Sequence, residues 1–180
     1  MHFNREKHHR RSVRLKGYDY ASSGAYFVTI CAWKRECLFG EINNGVMHFN
    51  DYGRIVQDEW CQTVHVRPNV DLDEFFLMPN HLHGIVVINR RGVLQYAPTR
   101  EPALRSPSQT IGAIIRGFKS VTTKQINILR NTPGMPVWQR NYFEHIIRDE
   151  KDLYKIRQYI KSNPLQWQID SENPDNLDQL

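Results

Sequence analysis

Two short sets of residues carry the chemistry open to this chain. His81 and His83 flank Leu82 just ahead of an apolar run, Ile85-Val86-Val87-Ile88. In a strand, side chains alternate with period two, so both imidazoles point to one face, roughly 7 Å apart at their Cα atoms. Two imidazoles held this way can share one divalent ion. The second set is Lys155, Tyr159 and Asn163, spaced four apart and therefore on one face of a helix. Tyr159 offers a phenolic oxygen, and Asn163 offers an amide oxygen one turn later. A phenolate that attacks phosphorus leaves a phosphotyrosine, and a metal polarises the phosphate oxygens for that attack. An amide oxygen is a fitting third ligand for Mg²⁺ or Mn²⁺ beside two imidazoles. On spacing alone, plainer readings stay open. His-x-His also suits two ordinary sheet-edge histidines, and Tyr159 a half-buried packing residue.

The elements around these residues must hold them in place. Pro79-Asn80 breaks one apolar run and supplies a turn. The spacing predicts a strand over 70–78 before the turn and another over 81–89 after it. The connection is too short for a crossover, so the two are antiparallel neighbours. Ala25 to Ala32 is β-branched and aromatic, a central strand. Asn44-Gly45 between short apolar runs signals a hairpin, read as a small ribbon inserted after that strand. A helix runs from Asn50 or Asp51 to about His65, with Ile55, Val56, Trp60 and Val64 at helical spacing. Ser108 is the expected cap of the next helix. Its stripe is Ile111, Ile114, Ile115, Phe118 and Val121, with Arg116 and Lys119 on or near its polar side. Val137 to Arg148 is a last strand with irregular flanks. Asp149-Glu150 opens the final helix, with acids at its positive end, and Pro164 stops it. The order predicts an α+β fold. It is a ferredoxin-like four-stranded antiparallel sheet with helices on one face, plus a β-hairpin insertion and a C-terminal helix carrying Tyr159.

The 180 residues suit one domain. No apolar stretch reaches the roughly 18 residues of a membrane span. Met1 to Lys7 has no apolar core of a secretory signal, and Cys31, Cys37 and Cys61 form no metal-ligand spacing. Both point to a reducing cytoplasm. Charge is uneven. Residues 1–16 hold Arg5, Lys7, Arg10, Arg11, Arg14 and Lys16 against one acid, Glu6. This basic arm suits a polyanion, as it would suit a solvated terminus. Residues 170–180 form an acidic tail, and residues 17–169 the domain between.

Three ordered motifs resemble one family. Met78-Pro79-Asn80-His81-Leu82-His83-Gly84, the stretch Val137 to Arg148, and Tyr159-Ile160-Lys161-Ser162-Asn163-Pro164 are similar to the signature of single-tyrosine HUH transposases. They are most similar to its REP-associated tyrosine transposase branch, over roughly residues 17 to 167. The resemblance implies an enzyme that nicks and rejoins single-stranded DNA near short palindromic hairpins. It implies a 5′-phosphotyrosine intermediate on Tyr159, a divalent Mg²⁺ or Mn²⁺ on His81, His83 and Asn163, and no nucleotide cofactor. It leaves monomer and homodimer equally open. Glu144 can orient a ligand or water, and His145 and Lys155 can contact phosphate, although packing explains them as well. DNA contacts are expected from Arg116, Lys119 and the arm, and no membrane partner is expected.

Two other classes fit parts of the pattern. A non-catalytic ferredoxin-like DNA- or RNA-binding protein would use the arm and sheet aromatics. A metal-dependent nuclease with water as nucleophile would use the histidines but not Tyr159. Deleting residues 1–16 should weaken binding to a hairpin oligonucleotide and flatten the dependence of log affinity on log salt. Equal affinity and an equal salt slope in the truncated protein would remove the arm from the interface.

Overall fold

The computed structural model describes residues 22–89, 110–170 and 172–179. The arm residues Arg5, Lys7, Arg10, Arg11, Arg14 and Lys16, and the proline-spaced stretch from Arg90 to Ser106, lie outside the described residues. The sheet is built on its two most apolar strands. β1 (Gly24–Cys31) pairs antiparallel with β5 (His81–Ile88), in a register that sets Thr29 opposite His83 and Cys31 opposite His81. β4 (Val70–Leu77) flanks β5, and β6 (Phe143–Ile147) flanks β1, giving the order β4-β5-β1-β6. This is the expected ferredoxin-like sheet. β2 (Gly40–Asn43) and β3 (Val46–Phe49) form the separate ribbon. Asn44 and Gly45 both take positive φ there, 53° and 75°, as a two-residue hairpin turn requires.

Alternation in β1 and β5 produces two apolar faces, and both need cover. One face presents Tyr26, Val28, Ile30, Leu82 and Val86. It is covered by α1 (Asp51–Val66) and α2 (Ile111–Leu129), through Val56, Trp60, Ile114 and Phe118. The other presents Phe27 and Ile85. It is covered by α3 (Glu150–Ser162), through Ile160, Leu153 and Ile156. The expectation of helices on one face thus describes α1 and α2, while the terminal helix lies across the opposite side. α1 is capped by Asn50, whose side chain accepts from Gly53 N at 2.9 Å. α2 is capped by Thr110, whereas the expected cap Ser108 lies outside the described residues. Val121, expected in the stripe, is 42% exposed. Thr122 takes the inward place at that turn, donating to Phe118 O and accepting from Trp138 Nε1 at 2.8 Å. The last strand is short, and its irregular flank touches the sheet through a single bridge, Ala32 to Trp138.

α3 is pinned at both edges of the sheet. A bulge in β4 sets Asp73 and Glu74 opposite one residue of β5, breaking the ladder between Leu72 and Phe75. Both acids meet α3. Arg157 reaches Asp73 through Nε at 2.9 Å and a second nitrogen at 2.5 Å, and Lys161 reaches Glu74 at 2.8 Å. At the other edge, His145 of β6 bonds Asp152 at 2.8 Å, in the first turn of α3. Exposed pairs of this kind are each worth little, but three on one helix fix its angle and register. Among the described residues, no helix is long and apolar enough to cross a membrane, and the three cysteines are free.

Gly84 explains how α1 reaches the sheet beside the histidines. A Cβ there would lie 2.6 Å from Trp60 Cζ2 and 3.3 Å from Phe75 Cβ. Trp60 is fully buried, so its ring has no free space to move into. Gly84→Ala should therefore cost about 1–3 kcal/mol through overpacking. Chemical denaturation would measure it, and an unchanged midpoint would show that Trp60 is not held as tightly as this contact implies.

Candidate active site

The turn before β5 presets the first histidine. Met78 N bonds His81 O at 2.7 Å, and Ala32 N bonds Asn80 O at 2.7 Å. The buried Asn80 side chain donates through Nδ2 to Arg35 O at 3.0 Å and to Glu172 O at 2.6 Å. Two carbonyl acceptors leave no doubt which end of the amide is nitrogen. Asn80 Oδ1 therefore faces His81 Nδ1, at 2.8 Å, and that nitrogen must carry the hydrogen. Nε2 of His81 is left with a lone pair. His83 is oriented by its strand neighbour, with Thr29 Oγ1 2.8 Å from Nδ1. The two Nε2 atoms then stand 3.0 Å apart.

Burial keeps this pair neutral. His81 is fully buried, and desolvation, aided by the Arg35 charge, pulls its pKa down to about 3. Desolvation also holds His83 well below the ordinary histidine range, with His81 adding to the effect and Asp170 opposing it. A neutral imidazole that turns a ring-nitrogen lone pair into the site, as His81 does with Nε2, is the ligand form of histidine. Asn163, 2% exposed, sits at the end of α3, and its buried Oδ1 has no hydrogen-bond partner among the described residues. An unpaired buried carbonyl costs about 1–3 kcal/mol, which a cation would offset. Asp170 brings a carboxylate, with Oδ2 4.0 Å from His81 Nε2. One ligand atom from each of His81, His83 and Asp170 lies within 4.8 Å of the others. The donors fit a divalent ion.

Tyr159 closes the site from α3. Its hydroxyl is 3.2 Å from His83 Nε2, and its ring meets Phe27 edge-on at 6.0 Å. Burial pushes the phenol pKa up, the Asp170 charge adds to this, and a hydrogen bond from the Asn163 side chain opposes it. The hydroxyl opens into a cleft of about 410 Å³ shared with Phe27, Thr29, Arg35, Phe143 and Glu172. The other tyrosines close by are placed elsewhere. Tyr142 donates to Glu144 Oε2 at 2.8 Å, and Tyr154 is 63% exposed.

The remaining sequence candidates fall outside this cluster. Glu144 pairs with Val28 in the sheet, so its side chain is on the α1/α2 face, opposite the histidines, where it holds Tyr142. His145 is on the site face but is bonded to Asp152. Lys155 is exposed on α3, one turn before Tyr159. Arg116 is exposed on α2, across the sheet. The Lys119 ammonium donates to Gln139 O at 2.9 Å and Asn141 O at 2.8 Å, and burial lowers its pKa to about 8. It clamps a loop beside the cleft. Sequence reasoning missed Asp170, Asn80, Thr29 and Arg35. Only Asn80, inside the histidine motif, carried a signal beforehand. Asp170 and Glu172 fall in the stretch that the sequence reads as an acidic tail.

Because His81 is neutral in the fold and protonatable in the unfolded chain, its sign is defined. Its stability contribution is complete above the unfolded pKa of about 6.5 and is lost as pH falls toward the folded value. In chelator-treated protein, the His81 ring nitrogens should keep the neutral chemical-shift pattern down to about pH 5, well below the ordinary histidine value. A titration midpoint near that ordinary value in the ¹⁵N spectrum would contradict the buried, Asn80-bonded geometry.

No protein-family model matches the chain. An uncharacterized protein of Haemophilus influenzae is 47% identical over 174 residues, covering 93% of this chain and 95% of that protein. Among solved structures, a REP-associated tyrosine transposase bound to a REP hairpin superposes with a TM-score of 0.58 at 18% identity. The match covers 86% of this chain and 74% of that one. A second, from Deinococcus radiodurans R1, matches at 13% identity and a TM-score of 0.44, over 84% of this chain and 97% of its own. The chain belongs to one family with the Haemophilus influenzae protein, and its fold is that of a REP-associated tyrosine transposase.

Proposed function

We propose that this protein is a tyrosine HUH endonuclease and strand transferase acting on single-stranded DNA beside short hairpins. The observation that carries the reading is the 3.2 Å approach of the Tyr159 hydroxyl to His83 Nε2. Residues 76 positions apart, on different elements, meet at the only place where two neutral imidazoles face each other among the described residues. The shared fold with a transposase bound to a REP hairpin supports the substrate class.

His81, His83 and the Asn163 oxygen would hold one Mg²⁺ or Mn²⁺, with Asp170 within reach as a fourth donor. When bound, the ion supplies charge stabilisation to the phosphate oxygens. The chain supplies the nucleophile. Tyr159 Oη attacks the scissile phosphorus and its proton passes to solvent in the cleft. The O–P bond to the tyrosine forms as the bond to the 3′-oxygen breaks. That oxygen takes up a proton and leaves as a 3′-hydroxyl, and the 5′-phosphate stays on the enzyme. Attack by a 3′-hydroxyl on the phosphotyrosine reverses these steps and rejoins a strand. Burial raises the phenol pKa further above neutrality, so Tyr159 enters the reaction as the phenol. The Phe27 ring and the pinned helix would direct its oxygen toward the scissile phosphorus. No nucleotide cofactor enters the scheme.

Tyr159→Phe removes only the hydroxyl of a residue that is 43% exposed, so the variant should fold and bind hairpin DNA. With Mn²⁺ and a hairpin oligonucleotide bearing single-stranded flanks, the wild type should form a denaturation-resistant adduct on Tyr159, located by mass spectrometry of the digest. The variant should form none. An adduct on Tyr142 or Tyr154, or strand cleavage by Tyr159→Phe at the wild-type rate, would replace this mechanism, the latter with one in which water attacks.

A further inference from the structure

The cleft in front of Tyr159 has a second wall that the cleavage chemistry does not use. Phe143, on the edge strand β6, is 47% exposed on the same sheet face as the histidines. Its ring packs edge-on against Phe27 at 6.2 Å, which steadies it from one side. Phe27 in turn stacks on His83 at 5.5 Å and meets Tyr159 at 6.0 Å. A continuous row of rings therefore leads from the nucleophile to Phe143.

The loop that approaches β6 completes this wall with polar groups. Gln139 and Asn141 line the cleft beside Phe143. Their backbone is held from behind. The Lys119 ammonium bonds both carbonyl oxygens, at 2.9 and 2.8 Å, and Gln139 N bonds Cys31 O at 2.9 Å. Their side-chain amides have no hydrogen-bond partner among the described residues. A rigid backbone presenting two free amides next to an exposed ring matches what reads one unpaired base: a π-face to stack on, and donors and acceptors for the base edge. The volume, about 410 Å³, is near the small end of ligand sites.

We infer that this wall is a pocket for a single unpaired nucleobase of the strand being cut, stacked on Phe143 and read at its edge by Gln139 and Asn141. The inference rests on the proposed function for the nature of the strand. It adds a sequence-reading site within the domain, separate from the basic arm and from the hairpin. Lys119 is a positioning residue for it rather than a contact to phosphate.

The test uses full-length protein carrying Tyr159→Phe, so that binding is read without cleavage. Hairpin oligonucleotides carry 2-aminopurine at each flank position in turn, and a parallel set carries an abasic site at each position. One position should show quenching on binding, and an abasic site there should weaken affinity roughly 5- to 150-fold, the range for loss of one stacked base. Phe143→Ala should abolish the quenching and weaken the intact oligonucleotide by the same factor, with no further loss from the abasic site. Phe143→Tyr should restore both. A flat abasic scan together with position-independent fluorescence overturns the pocket, and it does so without any Phe143 variant having to fold. Covalent adduct formation by the wild type is scored separately. An adduct with a flat scan sinks only the pocket, whereas a position-specific signal without an adduct sinks only the cleavage mechanism.

Discussion

The side-chain amide of Asn80 is the point at which the site is assembled. Its nitrogen ties down the carbonyls of Arg35 and Glu172, and its oxygen takes the hydrogen of His81 Nδ1. Three segments far apart in the chain thus meet in one buried group. Because every hydrogen-bonding atom of that amide is committed, the tautomer of His81 follows, and with it the direction of the lone pair on Nε2. Buried polar groups are costly unless all partners are present, so such a network holds one arrangement and penalises others. The turn after β1 pays part of this cost, since Lys34 and Arg35 both take positive φ, 55° and 59°. Non-glycine residues adopt that conformation where surrounding contacts demand it.

The second requirement is a helix on the face that carries the histidines. β1 and β5 are apolar on both sides, so the sheet cannot be left open on either. α3 covers the site face with few buried residues, Ile160 chief among them. Its position depends on polar contacts at the two edges of the sheet. The bulge in β4 is what brings two consecutive acids to one helix, and the spacing of Arg157 and Lys161 matches them. The result is a helix tied to both edges of the sheet, with the Tyr159 hydroxyl turned to His83. His145, a residue of one of the three motifs, serves this anchoring through Asp152.

The site itself combines groups that would be unfavourable apart. Two desolvated imidazoles, an unpaired amide oxygen and a nearby carboxylate each cost folding energy without a cation. Such local conflicts with the rules of a well-packed interior are expected where a chain has a chemical task. The rest of the fold obeys those rules closely, with capped helices, a regular sheet register and one continuous core behind it.

The sequence by itself determined the strands, the ribbon turn at Asn44-Gly45, the three helices and the pairing of His81 with His83 on one face. These are readings of period two, period 3.6 and turn chemistry, which are local. It also singled out Tyr159 and Asn163 as one face of the last helix. Only the tertiary structure decided that this face meets the histidines, because that depends on α3 crossing the sheet on the side away from α1 and α2. Glu144 shows the limit of motif reading. It sits beside His145 in sequence, yet alternation sends it to the opposite face, where it bonds Tyr142. Asp170 and Glu172 show the complementary limit. They have no periodicity to announce them, and short 3-10 turns after Asn163 carry them back to Asn80 and His81. Lys119 looked like a surface cation in sequence. Its long stem let it bury the ammonium against two carbonyls, a choice that local patterning cannot record.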